Sequence, residues 1–392
     1  MHSRDFSHEL ARKDNYFNLI IHIVDRWLKR IGYRLMPTKT QLGVLNRQLE
    51  ICRWVYNDAL AYRKNAWKND QRQVKHFETQ DRLPMLKVAK PELNEVYSHV
   101  LQNVTLRVDL AFKAFFRRVK AGENPGYPRF KGKGWYDSFT YTESGFKLSG
   151  TLSHLSKRGD IKIKLHREIK GKISRLTIRR KATTKWYVSF LTDDDGNEPL
   201  PLSEKVVGVD VGILSFAMLS DGSTIDNPGS IKADEMALAK AQRNLSKQAK
   251  GTPLRKKAKK VVCRVYERIA NRRYDFVQKV SRNLVNSYGT ICFEDLNING
   301  MVQNHCLAKS IMDCAWGKLV QYVSYKAESA GRRVVLVDPN GTSQMCSRCG
   351  LIVKKDLSER MHNCPFCNLS IDRDLNAAKN VLRLGLQSLA KA

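Results

Sequence analysis

Four cysteines, Cys346, Cys349, Cys364 and Cys367, stand as two Cys-x-x-Cys pairs with fourteen residues between them. That spacing is close to that of a zinc ribbon. Four thiolates can hold Zn²⁺ tetrahedrally and leave no position for water, so the chemistry is structural rather than catalytic. Carboxylates offer a different chemistry. Asp210 lies in Val206-Val207-Gly208-Val209-Asp210-Val211-Gly212, Glu294 closes Ile291-Cys292-Phe293-Glu294, and Asp372 and Asp374 open Asp372-Arg373-Asp374-Leu375-Asn376-Ala377-Ala378. Singly, an acid at a strand end is more often a helix cap or an ion-pair partner. Together, acids at the ends of apolar elements in a very basic chain point to hard oxygen ligands for Mg²⁺. Two such ions can bind a scissile phosphate, one activating water and the other stabilising the leaving oxygen. Because clustered carboxylates repel, the site favours cations strongly. Cys52, Cys263, Cys292, Cys306 and Cys314 lack such spacing and read as core residues.

These groups need rigid elements to bring them together. Alternation over 206–212 puts Val207, Val209 and Val211 on one strand face and Gly208, Asp210 and Gly212 on the other. A carboxylate on so apolar a strand costs desolvation energy unless something compensates it. Strands at 206–212 and 214–220, followed by long helices, predict an α/β unit. Residues 240–282 carry fifteen Lys or Arg against Glu267 and Asp275, interrupted by Gly251 and Pro253. This predicts a helical hairpin presenting Arg264, Arg268 and Arg272 at helical spacing. Salt-bridged surface helices mix their signs, so a run this one-sided points to contact with phosphates.

Upstream, Tyr33-Arg34-Leu35 reads as a short strand stopped by Pro37, and Thr38 caps a helix with apolar positions at Leu42, Leu45, Leu49, Cys52 and Val55. Helix continues to about residue 120, with a core stripe of Val100, Val104, Val108, Ala111, Phe112 and Phe115. The Gly- and Pro-dense stretch 122–135 cannot be regular helix. Strands follow at Phe139–Thr142, Ile161–Leu165, Leu176–Arg179 and Trp186–Leu191, the second with a lysine wet face. A β-barrel fed by a helical insertion is the expected N-terminal domain, and the acidic segment Asp193–Pro201 is its exit linker.

The chain has 392 residues, 69 Lys plus Arg against 38 Asp plus Glu, and a formal charge of +31. Self-repulsion on this scale disfavours the compact state unless a polyanion neutralises it, and nucleic acid is the leading partner. Residues 1–15 are polar, no signal peptide opens the chain, and no apolar run approaches the roughly 18 residues of a membrane span. Nine cysteines, an odd number, argue for a reducing compartment and a cytoplasmic, nucleoid-associated protein.

GVDVGxxxFAxxSDG around Asp210, CFEDLNI around Glu294, the four-cysteine cluster and DRDLNAAKN around Asp374 occur in that order. YRLMPTKTQ at Tyr33–Gln41, RWVYN at Arg53–Asn57 and NPGYPRFKG at Asn124–Gly132 precede them. Over roughly residues 32–385 the sequence resembles the TnpB family, transposon-encoded RNA-guided nucleases akin to compact type V CRISPR effectors. The resemblance implies an RNase H-like RuvC domain with Asp210, Glu294 and Asp374 as its catalytic trio, a choice over Asp372 that spacing alone does not make. It also implies a scaffold and guide RNA, a double-stranded DNA target beside a short flanking motif, two Mg²⁺ and one structural Zn²⁺.

The expected layout is an extension of unknown role at 1–31, the first strand of a wedge β-barrel at 32–40, and a helical recognition domain at 41–121. The rest of the barrel and the linker occupy 122–200, and a RuvC-like domain 201–340, its basic hairpin at about 234–288. A zinc-ribbon insertion at 341–370 and the last RuvC segment at 371–392 follow, with no long disordered tail. Tyr127, Arg129 and Phe130 could stack and pair with nucleic acid, the alternative being an ordinary hydrophobic turn. Gln102 falls where the family reads its flanking motif, and Gln can bond adenine. Trp316 reads as core. A monomer in the RNA complex is expected, with a dimer as the alternative. Two rival activities remain: an RNA-guided repressor that does not cut, and an RNase H-like transposase.

Overall fold

A computed structural model describes residues 28–193, 199–301, 303, 314–356 and 359–391. Residues 1–27 of the expected extension, most of the linker and Cys306 lie outside them. The chain divides into two compact units, Met1–Asp195 and Gly196–Ala392.

Seven strands form one antiparallel sheet in the first unit: β1 (Leu28–Met36), β2 (Ser138–Thr142), β3 (Phe146–Ser149), β4 (Leu152–Leu155), β5 (Gly159–Lys164), β6 (Ile173–Arg180) and β7 (Trp186–Asp193), in the order β2-β6-β7-β1-β5-β4-β3. Ile161 and Ile163 are buried while Lys162 and Lys164 face out, as a period of two requires. β1 starts earlier than predicted. Leu28 to Ile31 pair with Asp193 to Phe190 of β7, so the boundary drawn at residue 31 falls inside a strand. The expected barrel is a half-barrel: β2 and β3 are edge strands, with no ladder joining them among the described residues.

Helix α1 (Lys39–Asp70) opens on a capping box, with the Thr38 hydroxyl accepting from Gln41 N at 3.3 Å and Gln41 Oε1 accepting from Thr38 N at 3.0 Å. Leu45, Leu49, Cys52 and Val55 of α1 share one core with Val100, Val104 and Val108 of α2 (Ser98–Lys120) and the inner face of the sheet. The predicted stripe ends at Phe112, beyond which Phe115 packs edge-on against Tyr127 instead.

In the second unit β8 (Val206–Val211), β9 (Ser215–Leu219), β10 (Thr224–Asp226), β11 (Thr290–Glu294) and β12 (Arg333–Val337) form a sheet in the order β10-β9-β8-β11-β12. β8, β11 and β12 are parallel, and the central β11 is buried on both faces, Ile291 and Phe293 on one side and Cys292 on the other, which explains its apolar run. Helix α3 (Ser230–Ser246) and helix α4 (Pro253–Ser287) form the basic hairpin, its tip held by a small core of Ala241, Val262, Val265 and Ile269. Val207, Val209, Ile291 and Phe293 pack against Val277, Val280 and Leu284 of α4 and against Trp316, Leu319 and Val323 of α5 (Trp316–Ser329). The short strands β13 (Met361–Asn363) and β14 (Ser370–Asp372) pair antiparallel and lead into α6 (Arg373–Lys391), which covers the opposite face through Val381 and Leu382.

Candidate active site

Val209 and Phe293 are register partners on parallel β8 and β11. Asp210 and Glu294, each one residue further on, therefore leave the sheet side by side at the carboxyl ends of the strands. Gly208, on the same face as Asp210, lets α6 close in: a Cβ there would lie 2.6 Å from Leu382 N and 2.8 Å from Leu382 Cβ, and inside contact distance of the Ala378 carbonyl oxygen. Two strand residues and four helical residues span similar lengths, about 6.7 and 6.0 Å. Asp374, one turn before Ala378, is thereby brought to Asp210.

The electrostatics agree with that placement. Burial, followed by the facing charges of Glu294 and Asp374, pushes the Asp210 carboxyl well above the usual carboxylate range. Burial also raises Glu294, opposed by a hydrogen bond that the Thr342 hydroxyl donates to its Oε1 at 2.5 Å. The two acids of the third segment have different partners. Asp372 Oδ1 accepts from the backbone N–H groups of Asp374 at 2.8 Å and Leu375 at 3.0 Å, which makes it the N-cap of α6. Asp374 Oδ1 instead accepts from Arg373 Nε at 3.1 Å and from its terminal nitrogen at 3.0 Å. The three carboxylates adjoin through their charges, but their oxygens are not drawn together as tightly as a metal-ligand cluster.

Among the described residues, the four cysteines are the side chains whose ligand atoms do gather, with all four sulfurs within 4.8 Å of one another. The Cys346–Cys367 and Cys349–Cys364 Sγ separations are 3.5 and 3.6 Å, near the roughly 3.8 Å edge of a zinc–thiolate tetrahedron with bonds of about 2.3 Å. Each pair sits in the same turn. Cys346 N donates to Leu351 O and Gly350 N to Cys346 O, both at 2.9 Å. Cys364 N donates to Leu369 O at 2.8 Å and Asn368 N to Cys364 O at 3.0 Å. Gly350 and Asn368, each following the second cysteine of its pair, both take left-handed backbone with φ of 79° and 58°. Donor set and spacing fit zinc. Cys52, Cys292 and Cys314 are buried and Cys263 is half-buried.

The candidate nucleic-acid residues are placed less uniformly. Arg264 is exposed. Arg268 and Arg272 both reach Asp234, at 2.6 and 2.7 Å, so part of their charge is balanced within the hairpin. Asp234 lies on α3, outside the one-sided run 240–282. Tyr127 packs edge-on against Phe112 and Phe115, while Lys64 Nζ sits 5.4 Å from its ring centroid and 5.1 Å from that of Phe130. Both aromatics keep an exposed side, as does Arg129. Asn57 fixes their loop through Lys131, its amide donating to the carbonyl at 3.0 Å and its Oδ1 accepting from the N–H at 2.8 Å. Gln102 is half-buried on α2, and Trp316 is core.

No helix among the described residues is long and apolar enough to cross a membrane. Three family profiles match: OrfB_IS605, described as "Probable transposase", over residues 187–305; "Cas12f1-like, TNB domain" over 316–381; and "Helix-turn-helix domain" over 27–72. The last span is here one strand and one long helix, β1 and α1. A Streptomyces pristinaespiralis protein provisionally named an RNA-guided DNA endonuclease is 36% identical over 366 residues, 91% of this chain and 89% of that protein. An Escherichia coli protein with the same provisional name is 29% identical over 383 residues, 93% of this chain and 94% of its own. Among solved structures, the Cas12f1–sgRNA–target DNA complex contains a chain of similar fold, with a TM-score of 0.55 at 14% identity, covering 88% of this chain and 83% of that one. With near-complete coverage of a relative at this identity and a transposon-family profile over its centre, the chain belongs to the TnpB family.

Proposed function

We propose that the chain is an RNA-guided DNA endonuclease of a mobile element. It holds a guide RNA, engages double-stranded DNA beside a short flanking motif, and hydrolyses a phosphodiester at Asp210, Glu294 and Asp374. The observation that carries this reading is the meeting of three acids from distant segments at one edge of a buried parallel sheet.

Each residue has a part. Asp210 and Glu294 present neighbouring carboxylate oxygens, and Asp374 approaches from the helix laid across them. The raised pKa of Asp210 means that the cluster is charged at a cost, which divalent cations relieve. Magnesium ions, when bound, supply the positive charge that activates water and stabilises the leaving oxygen. Arg373 donates to the Asp374 carboxylate and adds positive charge next to the phosphate. The cysteine knuckles hold zinc as a structural ion. Base pairing supplies target specificity, while the protein reads backbone and flanking motif. Gln102, Tyr127, Arg129 and Phe130 in the first unit and Arg264, Arg268 and Arg272 in the hairpin are the proposed contacts. The wedge, recognition, RuvC and zinc-ribbon layout belongs to the same reading.

The test is cleavage of a plasmid bearing the copurified guide's target, in Mg²⁺, by wild type and by Asp210→Ala, Glu294→Ala and Asp374→Ala. Linearisation by wild type and not by the variants is expected, and full activity in a variant removes that residue from the trio. Target binding without cleavage by wild type identifies the repressor. DNA joining without bound RNA identifies the transposase.

A further inference from the structure

Glu294 differs from the other two acids in being held by a neutral side chain from a distant segment. Thr342 is 2% exposed, and its hydroxyl oxygen lies 2.5 Å from Glu294 Oε1 and 3.0 Å from Pro339 O. One hydroxyl has one proton. The shorter distance, within the range of bonds from O–H to carboxylate, assigns that proton to Glu294.

Thr342 is itself fixed from two sides. Its carbonyl accepts from Asn380 Nδ2 at 2.8 Å, and the same amide nitrogen donates to Met345 O at 2.6 Å. Asn376, one turn earlier on α6, donates to Met345 O at 2.7 Å and accepts from Ser347 N at 2.9 Å. These two asparagines, both fully buried, thus grip the backbone on either side of Cys346. The helix that carries Asp374 and the first cysteine knuckle therefore meet at the short segment that ends in the Thr342 hydroxyl.

We infer that Thr342 is a positioning residue for Glu294, and that the segment 342–347, clamped by Asn376 and Asn380 and anchored at Cys346, sets the carboxylate's orientation toward divalent cations. The inference rests on the proposed nuclease reading for its cleavage arm only. The hydroxyl fixes which Glu294 oxygen is engaged and so restricts the turning of the carboxylate, as outer partners of metal ligands do.

The test compares wild type, Thr342→Val and Thr342→Ser as full-length chains. Valine keeps the shape and deletes the donor, while serine restores it. Two readouts are taken: Mn²⁺ binding by calorimetry on the chain without nucleic acid, and the Mg²⁺ concentration giving half-maximal cleavage by the RNA complex. Thr342→Val is expected to weaken Mn²⁺ binding and raise the Mg²⁺ requirement, each by roughly 10–100-fold, with Thr342→Ser close to wild type. Zinc content and Tm stay at wild-type values. Wild-type Mn²⁺ binding by Thr342→Val overturns the inference, as does an equal loss in Thr342→Ser. Absence of cleavage by wild type overturns the nuclease reading instead, and the calorimetry still decides the role of Thr342.

Discussion

Gly208 of β8 lies directly beneath Ala378 of α6, with no room for a single methyl group between strand and helix. That contact sets how close Asp374 comes to Asp210. Gly208→Ala must push α6 outward, and overpacking of this kind costs roughly 1–3 kcal/mol or more. A lowered Tm together with strongly reduced cleavage is expected. Unchanged values in a melting and cleavage assay would show that the helix does not depend on this glycine.

Asp372 and Asp374 are separable by substitution. Asp372→Ala removes the α6 cap, and the expected result is a stability loss of about 1 kcal/mol with cleavage retained. Asp374→Asn is expected to abolish cleavage with little change in denaturant midpoint. The reverse pattern would exchange the two roles.

The position of Asp210 gives a pH signature. Unfolded, its carboxyl has the ordinary value of about 3.9; folded, it is well above that. Between the two values the folded chain keeps a proton that the unfolded chain has lost. Asp210 therefore contributes stability at low pH that is lost as pH rises through its folded pKa. In Mg²⁺-free buffer, the Tm of Asp210→Asn relative to wild type is expected to climb as pH rises from about 4 through the raised folded pKa of Asp210. Added Mg²⁺ should narrow the gap. A gap that is flat with pH would mean that Asp210 titrates normally.

For the cysteines, elemental analysis is expected to find about one zinc per chain, and Cys364→Ser to lose it. Because Asn376 grips the backbone beside Cys346, metal loss should also loosen the start of α6. Faster amide exchange at 373–380 in the zinc-free protein is the corresponding observation.

The hairpin prediction concerns salt. Arg264→Ala is expected to weaken nucleic-acid binding across sequences and to reduce the slope of log K against log salt by about 1 if the side chain meets a phosphate. An unchanged slope in a salt titration would make Arg264 a solvated surface residue.

Much of this site could be read from the sequence because its parts are local. Alternation around Asp210, the apolar run before Glu294 and the cysteine spacing each declare themselves within a few residues. What could not be read depends on encounters between distant segments. Thr342 reaches Glu294 across 48 residues, and Asn376 and Asn380 act on backbone some thirty residues away, so no window holds both partners. Spacing does not separate Asp372 from Asp374, and that Asp372 folds back onto the helix N–H groups is a matter of one side-chain torsion that no sequence pattern records. β3 and β4, four residues each, are too short for alternation to stand out. The Arg268 and Arg272 pairing was hidden because Asp234 belongs to the other helix of the hairpin.

Asp374, Asn376 and Asn380 all lie on α6, so one helix delivers an acid toward Asp210 and at the same time holds the backbone beside Cys346 and Thr342. A substitution that slides α6 along β8 therefore disturbs the acid cluster and the first cysteine knuckle together, and the two cannot be tuned independently.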